Sequence, residues 1–148
     1  MLEVGIKGKK IFKVTDENTA EHLLSGMLPV YATPSLIALM EYTCFSSVHP
    51  LLDEGLGTVG SSITCSHISP TPVGGTVTCE SELIEVDRRR LVFRVRAEDE
   101  FGLIGEGTHE RFIIDNQKFM NKVAEKQAAL EKLNADGAGK PGSESHPW

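Results

Sequence analysis

A chain of 148 residues has the size of one domain and is long enough to bury its own core. With 15 Lys and Arg against 21 Asp and Glu the net charge is −6, which argues against a nucleic-acid surface, where phosphates demand concentrated cations. No apolar run approaches the ~20 residues of a membrane span, the N-terminus lacks a signal-peptide pattern, and Cys44, Cys65 and Cys79 form no paired motif. A soluble cytoplasmic protein with reduced thiols is expected.

In chain order, the basic and partly alternating run from Gly5 to Thr15 predicts a first strand with Phe12 and Val14 on one face. Thr15-Asp16-Glu17-Asn18 is a polar start signal for a helical turn reaching towards Ser25, and an apolar connection through Leu24, Met27 and Tyr31 follows. Thr33–Val48 predicts the central helix. Thr33 is placed as its cap, Pro34 suits the first turn, and His49-Pro50 discourages continuation. Leu36, Ile37, Met40, Cys44 and Val48 form a broad apolar stripe, and Glu41 lies on its edge. A carboxylate so placed needs a partner or a function.

The period then changes from helical to two. Residues 58–69 alternate, with Val59, Ser61, Ile63, Cys65, His67 and Ser69 on one face and small polar residues, Gly60 among them, on the other. Pro70–Gly75 is turn punctuation. Residues 76–86 and 89–98 predict two more strands, the first with Val77, Cys79, Ser81 and Leu83 inward, the second with Leu91, Phe93, Val95 and Ala97. Glu on one outer face and Arg on its neighbour's predict cross-strand pairs. Leu103–Asp115 is the last long strand, and its glycines at 105 and 107 signal a bulge or a close backbone approach. An amphipathic helix follows from Asn116 to about Leu133, within a single domain of residues 1–133, and 134–148 reads as a flexible tail.

This predicts an α+β fold in which a curved antiparallel sheet of about five strands needs the one strongly apolar helix laid on it. One helix cannot seal every sheet edge, so a homodimer pairing edge strands is expected. Thr33, Glu41 and His67 fall on surfaces that face one another. A hydroxyl, a carboxylate and an imidazole can together orient and activate a nucleophile, and Arg111 is the cation offered to Glu41. No His, Cys or carboxylate grouping has metal-ligand spacing, and Arg88-Arg89-Arg90 reads as a solvated hairpin end.

The stretches Tyr31-Ala32-Thr33, Leu39-Met40-Glu41-Tyr42, Ser66-His67, Thr71-Pro72, Gly107-Thr108-His109-Glu110-Arg111 and Lys118-Phe119 resemble the fluoroacetyl-CoA thioesterase family, a branch of the hot-dog-fold acyl-CoA thioesterases. The resemblance covers roughly residues 5–123. It implies a catalytic set of Thr33, Glu41 and His67 with Gly60 and Arg111 in support, and a dimer with acyl-CoA at its interface. Its fluoroacetate-hydrolysing member carries phenylalanines as a lid and gate, where this chain has Leu24 and Met27. A generic short or medium acyl-CoA is therefore the expected substrate. CoA enters only as part of it, with no further cofactor, no nucleic acid and no membrane. The dimer leaves room for a dimer of dimers. The competing reading is a non-catalytic acyl-ligand binding module on the same fold.

Overall fold

A computed structural model describes residues 2–137. Its contacts divide into two compact units, one that ends at Ile114 and one that begins at Asp115. The first unit holds five strands and two helices: β1 (Lys7–Lys13), α1 (Ala20–Leu23), α2 (Thr33–Val48), β2 (Leu56–His67), β3 (Thr76–Asp87), β4 (Arg90–Asp99) and β5 (Gly102–Asp115, its last residue in the second unit). Short 3-10 turns occupy Asp16–Asn18 and His49–Leu51.

The sheet order is β1-β3-β4-β5-β2, so β1 and β2 are its edges. The β1–β3, β3–β4 and β4–β5 pairs are antiparallel. So is β5–β2, because contacts descend β5 as they climb β2, from Arg111 with Thr58 to Ile104 with Ile68. The two glycines of β5 face the backbone of β2. A Cβ on Gly107 would lie 2.0 Å from the Thr64 carbonyl oxygen, and one on Gly105 2.7 Å from that of Ser66. The close approach expected of those glycines is therefore to a neighbouring strand.

Helix α2 lies on the sheet, and its bounds are those the stripe and the His49-Pro50 signal predict. The buried face is turned slightly from the expected one, taking in Leu36, Leu39, Met40, Thr43, Cys44 and Val48, with Ile37 half-buried. Thr43 is tolerated there because its hydroxyl donates to the Leu39 carbonyl at 2.7 Å. Opposite it the sheet presents Val77, Cys79, Leu83, Leu91, Phe93, Val95, Ala97 and Ile104, all buried in one core. On the outer face Arg94 pairs with Glu82 at 3.9 Å and Arg90 with Glu85 and Glu110, as the opposed charges predict.

The second unit is described by helix α3 (Asn116–Asp136), capped by the Asp115 carboxylate accepting from the Lys118 backbone N–H at 3.0 Å. It runs three residues past the predicted end, and most of the expected tail lies outside the described residues. Phe119, Val123 and Leu130 of its apolar side are exposed. Among the described residues no helix is long and apolar enough to cross a membrane.

Candidate active site

Thr33 opens α2, but it is not the cap. Ala32, with φ −79° and ψ 144°, takes the N-cap position and has no capping side chain to offer. The Thr33 hydroxyl is thereby released from the helix and lies 2.8 Å from His67 Nδ1, on the last residue of β2. The other ring nitrogen, Nε2, is shielded from solvent and has no hydrogen-bond partner among the described residues. Tyr31, buried, meets the His67 ring edge-on with centroids 6.3 Å apart. Burial lowers the His67 pKa below the ordinary imidazole value, opposed by a backbone hydrogen bond at Ser69. The imidazole is therefore neutral at pH 7.

This pair lines a cavity of about 290 Å³ whose wall also includes Ser25, Val30, Tyr31 and Pro70. Leu24 and Met27 belong to the same loop but not to that wall. Met27 is 91% exposed, and Leu24, 72% exposed, sits in the left-handed region with φ 59° as the cap that ends α1.

A second cluster gathers around Glu41. The eight residues from Thr33 to Glu41 span two helical turns, about 12 Å along the axis and roughly 80° around it. Among the described residues the Thr33 hydroxyl is bonded to His67 and not to this carboxylate. Glu41 instead faces Arg111 of β5, with Oε2 3.8 Å from a guanidinium nitrogen (NH1). The guanidinium is buried, while the carboxylate side chain is 42% exposed. Arg111 also donates from Nε to Thr58 Oγ1 at 2.8 Å and from NH2 to the Thr58 carbonyl at 2.9 Å, and lies over the Phe45 ring.

His109, two residues before Arg111 and on the same face of β5, completes the cluster. It is 2% exposed and lies 2.8 Å from the Ser62 carbonyl through Nδ1 and 3.1 Å from Arg111 NH1 through Nε2. Sequence reasoning cited it only within a family motif. The available signal was an inward His-X-Arg pair on a strand that otherwise turns small or apolar residues to the core. Burial depresses its pKa, the Ser62 carbonyl opposes this, and Arg111 reinforces it.

Gly60 is the floor of this cluster. A Cβ there would lie 3.1 Å from Glu41 Oε2, 3.2 Å from His109 Cε1 and 3.3 Å from Arg111 NH1. It was expected on the face opposite His67, yet Gly60 and Ile63 both point to the helix side, since Ile63 packs against the core. An odd interval on one face means that β2 breaks its alternation between them. Gly60 does not have positive φ, so the constraint is space alone. Gly60→Val is expected to lower kcat/KM about 100-fold by displacing the carboxylate and to lower Tm by a few degrees because the added methyls crowd buried His109 and Arg111, as kinetics and thermal melting on one preparation would show.

The family model described as fluoroacetyl-CoA-specific thioesterase matches residues 14–117. The chain belongs to this family. It is 38% identical over 134 residues to the fluoroacetyl-CoA thioesterase of Streptantibioticus cattleyicolor, across 86% of this chain and 96% of that protein. A solved structure of the fluoroacetyl-CoA thioesterase, 38% identical, superposes with a TM-score of 0.81 over 85% of this chain and 98% of that one. A thioesterase superfamily member from Thermus thermophilus, 27% identical, gives 0.83 over 89% and 98%. The fold is the hot-dog fold, a five-stranded sheet around a central helix.

Proposed function

We propose that this thioester hydrolase cleaves a short or medium acyl-CoA to the free acid and CoA, using Glu41, His67 and Thr33. The observation that carries the reading is the Thr33–His67 pair at 2.8 Å on the wall of the cavity, with a buried, unpartnered Nε2 left for substrate or water. Glu41 supplies the carboxylate that attacks the thioester carbonyl or takes a proton from the attacking water. Both routes need it ionised, and the Arg111 guanidinium stands 3.8 Å away. Thr33 orients the imidazole, and His67 moves the proton that ends on the departing thiolate.

The working unit we propose is a homodimer, with the option of a dimer of dimers and with acyl-CoA at the subunit interface. In one chain the Thr33–His67 pair and the Glu41 cluster are two helical turns apart, and Glu41, Leu24 and Met27 remain open. A second copy closing over them would give the acyl group walls on both sides. Free Cys44, Cys65 and Cys79 fit the reducing cytoplasm.

The acyl group follows from the loop. Leu24 and Met27 offer flexible aliphatic surface, which fills space without the fixed edge of an aromatic gate. Hydrolysis measured by thiol release across acetyl-, fluoroacetyl-, butyryl-, branched and aromatic CoA thioesters is the test. Turnover of several short aliphatic substrates, with acetyl and fluoroacetyl within about tenfold of each other, is expected from loss of a polar-aromatic selectivity device. A hundredfold preference for fluoroacetyl-CoA would overturn the substrate reading, and no turnover of any thioester would overturn the activity.

A further inference from the structure

We infer that His109 is a positioning residue for Glu41, acting through Arg111; the inference rests on Glu41 being the reacting carboxylate. The Ser62 carbonyl can only accept, so the His109 Nδ1 at 2.8 Å carries the hydrogen. A guanidinium can only donate, so Nε2, 3.1 Å from Arg111 NH1, presents its lone pair. Two partners on different elements therefore select the same neutral tautomer. The ring is held further by Phe93 of β4, stacked on it with centroids 6.5 Å apart.

The consequence falls on Arg111. Its Nε and NH2 are tied to Thr58, and one NH1 hydrogen is tied to His109. Each of the three nitrogens thus makes one hydrogen bond, and three of the five guanidinium hydrogens are placed before Glu41 is considered. The carboxylate is left at 3.8 Å, inside the field of the cation but beyond hydrogen-bond distance. That separation leaves the Glu41 lone pairs free for chemistry. Without an acceptor at Nε2, that buried NH1 hydrogen would be unpaired, and Glu41 Oε2, 3.8 Å from NH1, is an oxygen that could move in to satisfy it. A direct contact would draw the carboxylate onto the guanidinium and engage a lone pair that the chemistry needs. His109 holds one of the two NH1 hydrogens and, with Thr58, fixes the position and plane of the guanidinium, so the cation stays 3.8 Å from the carboxylate.

Three variants separate this role from a merely structural one. His109→Leu removes both bonds and is expected to lower kcat about 10- to 100-fold with KM within about threefold, the scale seen when an orienting partner is lost. His109→Gln keeps an acceptor within reach of Arg111 and is expected to return kcat to within about fivefold of wild type, although it loses the Phe93 stack. Thr58→Val removes the Oγ1 acceptor alone and is expected to lower kcat about 3- to 10-fold. Loss of packing alone would reduce Tm in both His109 variants and leave kcat of the folded enzyme unchanged.

Equal kcat in His109→Leu and wild type would overturn the inference, as would His109→Gln no better than His109→Leu. If His109→Leu does not fold, wild-type kcat in Thr58→Val overturns it. Glu41→Gln, run alongside, separates the two levels. Wild-type turnover there defeats the reading of Glu41, whereas an inactive Glu41→Gln with an unimpaired His109→Leu defeats the role of His109 alone.

Discussion

Replacing Glu41 by glutamine is expected to lower kcat by about 10³–10⁵-fold, the range seen when one member of a concerted catalytic set is removed. The amide has the shape of the carboxylate, so the gap over Gly60 stays filled and Arg111 keeps its bonds to Thr58 and His109. What disappears is the negative charge. A neutral amide neither attacks a thioester carbonyl nor takes a proton from water at neutral pH. The stability cost is small by comparison. The pair is 3.8 Å apart and Glu41 is 42% exposed, so solvent screens it and its loss costs about 1 kcal/mol or less. That corresponds to a Tm change of roughly 2–4 °C in a domain of this size. Thiol release and thermal melting on the same preparation check both halves. Wild-type turnover would remove Glu41 from the mechanism, and a fall of tens of degrees would make it a structural residue.

The parts of this molecule legible in its sequence are those governed by periodicity. Helix α2 has the bounds its apolar stripe and His49-Pro50 require, and β3 and β4 lie within one residue of the alternating runs that mark them. The site was legible as a list of residues but less so as an arrangement. A Thr-Pro pair looks like a cap from composition, yet the backbone of Ala32 takes that position and sends the hydroxyl to another element. Strict alternation put Gly60 on the wrong face of β2 because a break in a strand leaves no mark on the residues around it. His109 escaped for a related reason. Its partners are a carbonyl 47 positions away and a guanidinium whose orientation depends on Thr58, and neither is a local property of the chain. The eight-residue interval from Thr33 to Glu41 did contain the answer to one question, since two turns of helix separate them by about 12 Å whatever the rest of the fold does.

His67→Ala is expected to lower kcat about 10²–10⁴-fold, the usual contribution of a positioned acid–base group. The role follows from what its two nitrogens can do. Nδ1 is engaged by Thr33, whose hydroxyl holds the ring orientation, and Nε2 is shielded and free. Burial disfavours the imidazolium, so the resting group is neutral and, on the general-base route, enters the reaction as the acceptor of the proton that water gives up to Glu41. Having taken that proton, the imidazolium passes it to the thiolate as the C–S bond breaks, and the ring returns to neutral. The sign of the pH dependence follows. Activity that needs neutral His67 is lost as pH falls through its pKa, and because burial lowers that pKa, the acid limb of kcat lies below the range of an exposed histidine near 6.5. In His67→Ala that limb should vanish from the residual rate. Thr33→Val should keep the limb but lower kcat about tenfold, since the ring loses its orienting hydroxyl and not its basicity. A His67→Ala enzyme that retains both the limb and a kcat within threefold of wild type would place the proton transfer elsewhere. The hydroxyl at the head of α2 would then be orienting an imidazole that takes no part in the chemistry.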